Sequence, residues 1–182
     1  PAPATAVLSI YAIYNPATKV SGLLLCNQTV SSGNTYSGPN MPAGFTFSAL
    51  VSGWGVDASG MFRIANQVDR QVNVALTTII NMVTVQTARL VDISAIAPLC
   101  AREIDGIFQV ASSTAGNAST ISISGSPLGH GSRSCGGVSS SVNATMQNSF
   151  SRVSLLTPGT IYATTTGPTI AQATAYLYSY TI

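Results

Sequence analysis

His130 is the only histidine in the chain, and Ser132 and Ser134 follow it closely in a glycine-rich stretch. An imidazole beside serine hydroxyls is the raw material of nucleophilic acyl transfer, but the ring has to be oriented by a carboxylate. Four Asp and one Glu in the whole chain leave few candidates for that task. A single histidine also excludes a metal site built from several. Cys26, Cys100 and Cys135 are spaced too widely for a zinc site of two close pairs, and their odd number allows at most one internal disulfide. Buried thiols that behave as small apolar groups are the expected state. Arg102, Glu103 and Asp105 are the densest charge in the sequence and the other source of an acid-base pair. Placed in a connecting turn over residues 98–106, they are expected to form a solvated cluster worth little energy. Residues 125–131, GSPLGHG, have the glycines of a phosphate-cradling loop, but neither the Lys-Ser/Thr ending nor the following helix that the mechanism needs. The expectation is a protein that is not an enzyme and carries no cofactor and no metal.

Recognition chemistry is better represented. Trp54 stands between two glycines, where an indole is either a stacking platform for a sugar ring or a core residue. His130 and Arg133 lie in the stretch SPLGHGSRSCGGVSSS, residues 126–141, where a positive charge, an imidazole and many backbone N–H groups coincide. That combination suits an acidic glycan, with sialylated sugars as the first probe. Trp54, His130 and Arg133 are therefore the candidate receptor-binding residues. The stretches 31–44 and 126–141 are the two longest loops expected, and loops on a rigid scaffold are where recognition is placed.

Only 7% of residues are Asp, Glu, Lys or Arg, against about 25% in ordinary globular domains. Ser and Thr make up 44 of 182 residues, so the surface is solvated through hydroxyls. This composition points to an extracellular or virion-surface protein, matured inside a cell. The seven basic residues are scattered and give a net charge of +2, which excludes a strip that tracks a phosphate backbone. No run approaches 18 apolar residues, so insertion into a membrane by a helix is not expected.

The elements that must position these groups read as strands. Residues 6–14, 20–30 and 45–54 alternate or run apolar, and residues 72–93 read as one long strand or two strands bent near Asn81 and Met82. Residues 61–69 are the best helical candidate, a turn or one short helix. Residues 107–111 and 119–124 are expected to pair across a loop, residues 126–141 to be irregular, and residues 142–156 to return to strand. Around Gly167-Pro168, residues 160–165 and 169–182 are expected to form a hairpin, with Tyr176, Tyr178 and Tyr180 on one face. An apolar, aromatic end of this kind is expected to be fixed in a sheet or an interface. Residues 1–5, rich in Pro and Ala, read as a linker or the end of an upstream shaft, and residues 6–182 as one domain. The fold class is all-β: an antiparallel β-sandwich, fibre-head or jelly-roll like.

VSGLLLCNQTV at residues 20–30, FTFSALVSGWG at 45–55 and ATAYLYSYTI at 173–182, with the Pro-Ala lead-in, resemble the head domain of trimeric viral fibres, most closely those of avian adenoviruses. The resemblance implies a homotrimer at the virion surface that binds a host-cell receptor, protein or glycan, and it carries over no binding residue by motif. A homotrimer or another closed oligomer, rather than a monomer, is also expected from Leu23, Leu24 and Leu25, which put apolar groups on both faces of a strand and need a second surface to bury one of them; Leu24→Asp is expected to dissociate the assembly and the same change at Ser32 to leave it intact. Two other classes are an icosahedral jelly-roll capsid shell subunit and a bacterial surface adhesin module.

Overall fold

A computed structural model describes residues 6–30 and 32–182. The expected linker at residues 1–5 and Ser31, the first residue of the loop 31–44, lie outside the described residues. Twelve strands and no α-helix occur among those described. They are β1 (Val7–Asn15), β2 (Val20–Asn27), β3 (Phe47–Gly55), β4 (Ala65–Val68), β5 (Gln71–Met82), β6 (Gln86–Asp92), β7 (Glu103–Ser112), β8 (Ala118–Ser124), β9 (Arg133–Val138), β10 (Thr145–Ser154), β11 (Thr160–Thr166) and β12 (Ile170–Thr181).

From β5 onward the pairing is nested about the β8–β9 connection: β8 pairs with β9, β7 with β10, β6 with β11 and β5 with β12. Folding this long antiparallel ribbon over itself sends alternate pairs to opposite sheets. One sheet has the order β10-β7-β12-β5-β4 and the other β6-β11-β8-β9. That is a jelly roll, with β4 added at one edge. Alternation then fills the space between the sheets: Ile104, Phe108 and Val110 of β7, Ile121 and Ile123 of β8, Ile161 of β11 and Leu177 of β12 are fully buried in one cluster. Phe150 and Phe108 stack with centroids 4.6 Å apart. Phe150 lies across Gly106, where an added Cβ would come within 2.3 Å of its ring and 2.0 Å of the Tyr176 carbonyl oxygen.

β1, β2 and β3 form a separate three-stranded sheet of order β2-β1-β3, docked where β12 ends and β4 turns into β5. Buried Tyr180 donates its hydroxyl proton to the Gly53 carbonyl at 2.8 Å, and Ser52 donates to Gln67 of β4 at 2.6 Å. Gly53 is required there, because an added Cβ would meet the Cys100 sulfur at 2.6 Å.

Several local expectations are corrected. Residues 65–68 are strand β4, because pairing with β5 through the two-residue turn Asp69-Arg70 outweighs a weak helical spacing. Residues 103–106 begin β7, so Glu103 and Asp105 are sheet residues rather than part of a turn. The irregular stretch 126–141 contains β9, whose small residues let Gly136 pass close to Ser119 and Thr120 of β8. β7 and β8 do not pair with each other, and neither do β11 and β12: each connection crosses between sheets. A bulge at Tyr178 shifts the alternation of β12, which sends Tyr180 into the core, away from the face of Tyr176 and Tyr178. Leu24 packs inward against the core, while Leu23 and Leu25 point outward.

Candidate functional site

His130, in the β8–β9 connection, and Arg133, the first residue of β9, are both exposed. His130 Nδ1 shares a hydrogen bond with Ser126 Oγ at 3.1 Å, and the His130 backbone N–H donates to the same oxygen at 3.3 Å. Its ring partner is thus Ser126, not Ser132 or Ser134, and the contact closes a turn. Arg133 directs Nε–H to the Ser151 carbonyl at 3.0 Å, and a terminal nitrogen to the carbonyls of Gly131 and Ser132 at 3.4 and 3.3 Å. It fastens β9 to β10 across the open edge of the sandwich. Trp54 lies on a different sheet, half-buried. Its indole N–H donates to the Arg63 carbonyl at 2.9 Å, and its ring lines a cleft of about 300 Å³ with Val74, Ile96 and Tyr180. The structure therefore brings His130 and Arg133 together and sets Trp54 apart from them.

Arg102, Glu103 and Asp105 part company, because Arg102 precedes β7 while Glu103 and Asp105 lie within it. Arg102 donates to Asn34 Oδ1 at 2.8 Å. Glu103 and Asp105, two apart on β7, share its outward face. Asp105 has a bulge on either side of it: Ser151 and Arg152 interrupt the ladder with β10, and Tyr178 interrupts the ladder with β12. One carboxylate oxygen accepts the Arg152 backbone N–H at 2.8 Å. The other accepts the Ser179 hydroxyl at 2.6 Å and the Gln71 side-chain amide at 3.2 Å. Glu103 pairs with Arg152 Nε at 3.3 Å on the surface.

These bulges open a cleft of about 560 Å³ on the outer face of the five-stranded sheet, lined among others by Asp69, Arg70, Gln71, Glu103, Arg152 and Tyr178. Sequence reasoning missed it, since the five strand segments that meet there are spread from residue 68 to residue 181. The one available signal was the charge cluster at 102–105. Among the described residues no three His, Cys, Asp or Glu side chains lie close enough to hold a metal ion.

A second unusual environment lies beneath the three-stranded sheet. Cys26 of β2 and buried Cys100 lie there as thiols, while Cys135, also a buried thiol, belongs to β9 of the four-stranded sheet. Desolvation pushes the Cys100 thiol up to about 11, and burial raises the Tyr180 phenol as well, with Cys100 adding to the effect. Both groups are neutral packing residues over the accessible pH range.

The outward face of the three-stranded sheet is apolar. Leu23 and Leu25 of β2, Ile10, Ala12 and Tyr14 of β1, and Phe47 and Ala49 of β3 line up across the register. Leu23 is 68% exposed and Phe47 61%. Near Ile10 the surface continues into Trp54, Phe62 and Ile64, the last 95% exposed. β2 pairs only with β1 among the described residues, so its other edge is open.

Searches of protein-family models, of curated proteins and of solved structures find no match to this chain.

Proposed function

We propose that this domain is the receptor-binding head of a virion-surface attachment protein, assembled as a homotrimer. The observation that carries this reading is the apolar outward face of the three-stranded sheet. On a chain that covers itself with Ser and Thr, a contiguous patch holding Leu23, Leu25, Tyr14 and Phe47 calls for a partner. A second copy fits best, because it offers the same uncharged surface beside an open β2 edge, and burial of each large side chain contributes roughly 1.5–3 kcal/mol. Three strands about 4.8 Å apart and some five residues long present only about 250 Å². A stable contact needs about 800 Å² per partner, which draws in the Trp54, Phe62 and Ile64 corner.

Attachment fits the rest of the molecule: a rigid jelly roll, irregular connections at its ends and three copies of any weak site. Trimeric display raises apparent affinity through effective concentration. The test is binding of the purified, labelled domain to cultured cells, with and without glycosidase treatment, beside the monomeric Leu23→Asp variant. Saturable binding of the oligomer that weakens strongly in the monomer is the expected result; absence of saturable binding on a broad cell panel would overturn it.

The capsid-shell reading is favoured by one observation, the jelly-roll topology itself, but a fold hosts many functions. Particles far larger than a trimer in light scattering would move the assignment to it.

A further inference from the structure

We propose that the cleft on the outer face of the five-stranded sheet binds a neutral saccharide. Its volume of about 560 Å³ lies within the roughly 300–1,000 Å³ of small-ligand sites. Asp105 builds the walls, since both of its oxygens are occupied by Arg152, Ser179 and Gln71. Other groups around the cleft keep hydrogen-bonding capacity. The Tyr178 hydroxyl, the Asp69 carboxylate and the second Glu103 oxygen take no partner among the described residues, and Arg152 uses only Nε of its side chain. Acceptors and donors converging from several strands on a small concavity match adjacent hydroxyls, each of which donates and accepts. The half-buried Tyr178 ring supplies an apolar face for the C–H side of a pyranose.

Charge decides which saccharide. Asp69, Glu103 and Asp105 outnumber Arg70 and Arg152 by one among the lining residues, and Arg70 turns its guanidinium to the carbonyls of Ile182 and Leu50. A sialylated sugar or a phosphate meets net repulsion there, and an uncharged hexose or N-acetylhexosamine does not. The site is separate from the His130 and Arg133 connection, where Arg133 bonds to carbonyls of its own chain. The proposal deepens the attachment reading by naming a ligand class, and it holds at any oligomeric state.

The experiment is saturation-transfer NMR and titration calorimetry on the whole domain with lactose, N-acetyllactosamine, maltose and 3′-sialyllactose. At least one neutral disaccharide is expected to bind with a Kd on the order of 1 mM or tighter. Tyr178→Ala and Glu103→Gln are expected to weaken it about tenfold, with Arg133→Ala unchanged. The Glu103 side chain is partly exposed and its ion pair with Arg152 is on the surface, so Glu103→Gln carries the test if Tyr178→Ala fails to fold. No neutral binding at millimolar concentrations, a preference for 3′-sialyllactose, or unchanged affinity in Glu103→Gln would overturn the proposal. Cell binding that survives both cleft variants defeats the cleft and leaves the attachment reading standing. Disaccharide binding without cell binding does the reverse.

Discussion

The carboxylate of Asp105 accepts the backbone N–H of Arg152 at 2.8 Å, at a residue whose φ is +55°. A left-handed conformation is unfavourable for any side chain with a Cβ, and here it falls in a bulge held on its other side by Arg133 through the Ser151 carbonyl. The cleft geometry therefore depends on one carboxylate in the middle strand. Asp105→Ala is expected to destabilise the domain by about 2–3 kcal/mol, from lost charge-assisted hydrogen bonds. Arg152→Gly, which keeps the bonded N–H and relaxes the backbone, is expected to fall within about 1 kcal/mol of the parent. Urea unfolding midpoints check both, and equal losses in the two variants would contradict the pinning role.

Gly106 makes a sharper case. With the Phe150 ring and the Tyr176 carbonyl so close to its missing Cβ, Gly106→Ala is expected to cost more than about 3 kcal/mol or to prevent folding. Gly116, with φ +82° and open space around it, should lose only about 1 kcal/mol on the same change. Thermal melts of the two variants give the comparison.

Alkali should weaken the fold in a defined window. Cys100 has its folded pKa raised from 9.0 to about 11, so the unfolded chain loses its proton first. The stability linked to this group is complete below pH 9 and declines as pH rises toward 11, by about 2–3 kcal/mol over two units. Tyr180, raised above 10.0, adds a loss in the same direction at higher pH. Urea unfolding at pH 8, 9.5 and 10.5 should show a falling midpoint, and Cys100→Ala should flatten the slope above pH 9. A midpoint constant over that range in the parent protein would contradict the burial argument.

How much of this was legible in the chain differs from element to element. Strands with a period-two pattern, such as β3 and β8, were readable because alternation is local. The break near Asn81 and Met82 was readable too, and it is where the chain leaves one sheet for the other. Pairing partners were not readable, because β5 meets β12 almost a hundred residues later and nothing near either strand records the other. β9 was hidden because Gly136 and Gly137 carry no side-chain pattern and are shaped by close approach to β8 and Met146. The position of Tyr180 was missed because the bulge that turns it inward is set by Asp105 on the neighbouring strand. Trp54, His130 and Arg133 were conspicuous by type, and the shared stretch 126–141 already joined His130 to Arg133, but only the fold shows that Arg133 is spent on carbonyls of its own chain and that Trp54 lines a cleft on a different sheet.

The trio of leucines that suggested oligomerisation resolves into two roles. Leu24→Asp, aimed at the inward face, is expected to unfold the protomer rather than release it intact. Leu23→Asp and Phe47→Asp alter only the outward face and should leave circular dichroism and the melting profile of the protomer unchanged. The exposed Leu128 in the β8–β9 connection serves as the control, and Leu128→Asp should change neither fold nor assembly.

Sedimentation equilibrium at micromolar concentration tests the central claim most directly, comparing the parent domain with Leu23→Asp. The account predicts three times the chain mass of 18.6 kDa for the parent and a single 18.6 kDa species for a folded Leu23→Asp variant. A parent domain that sediments as a monomer, or a Leu23→Asp variant that remains assembled, would contradict it.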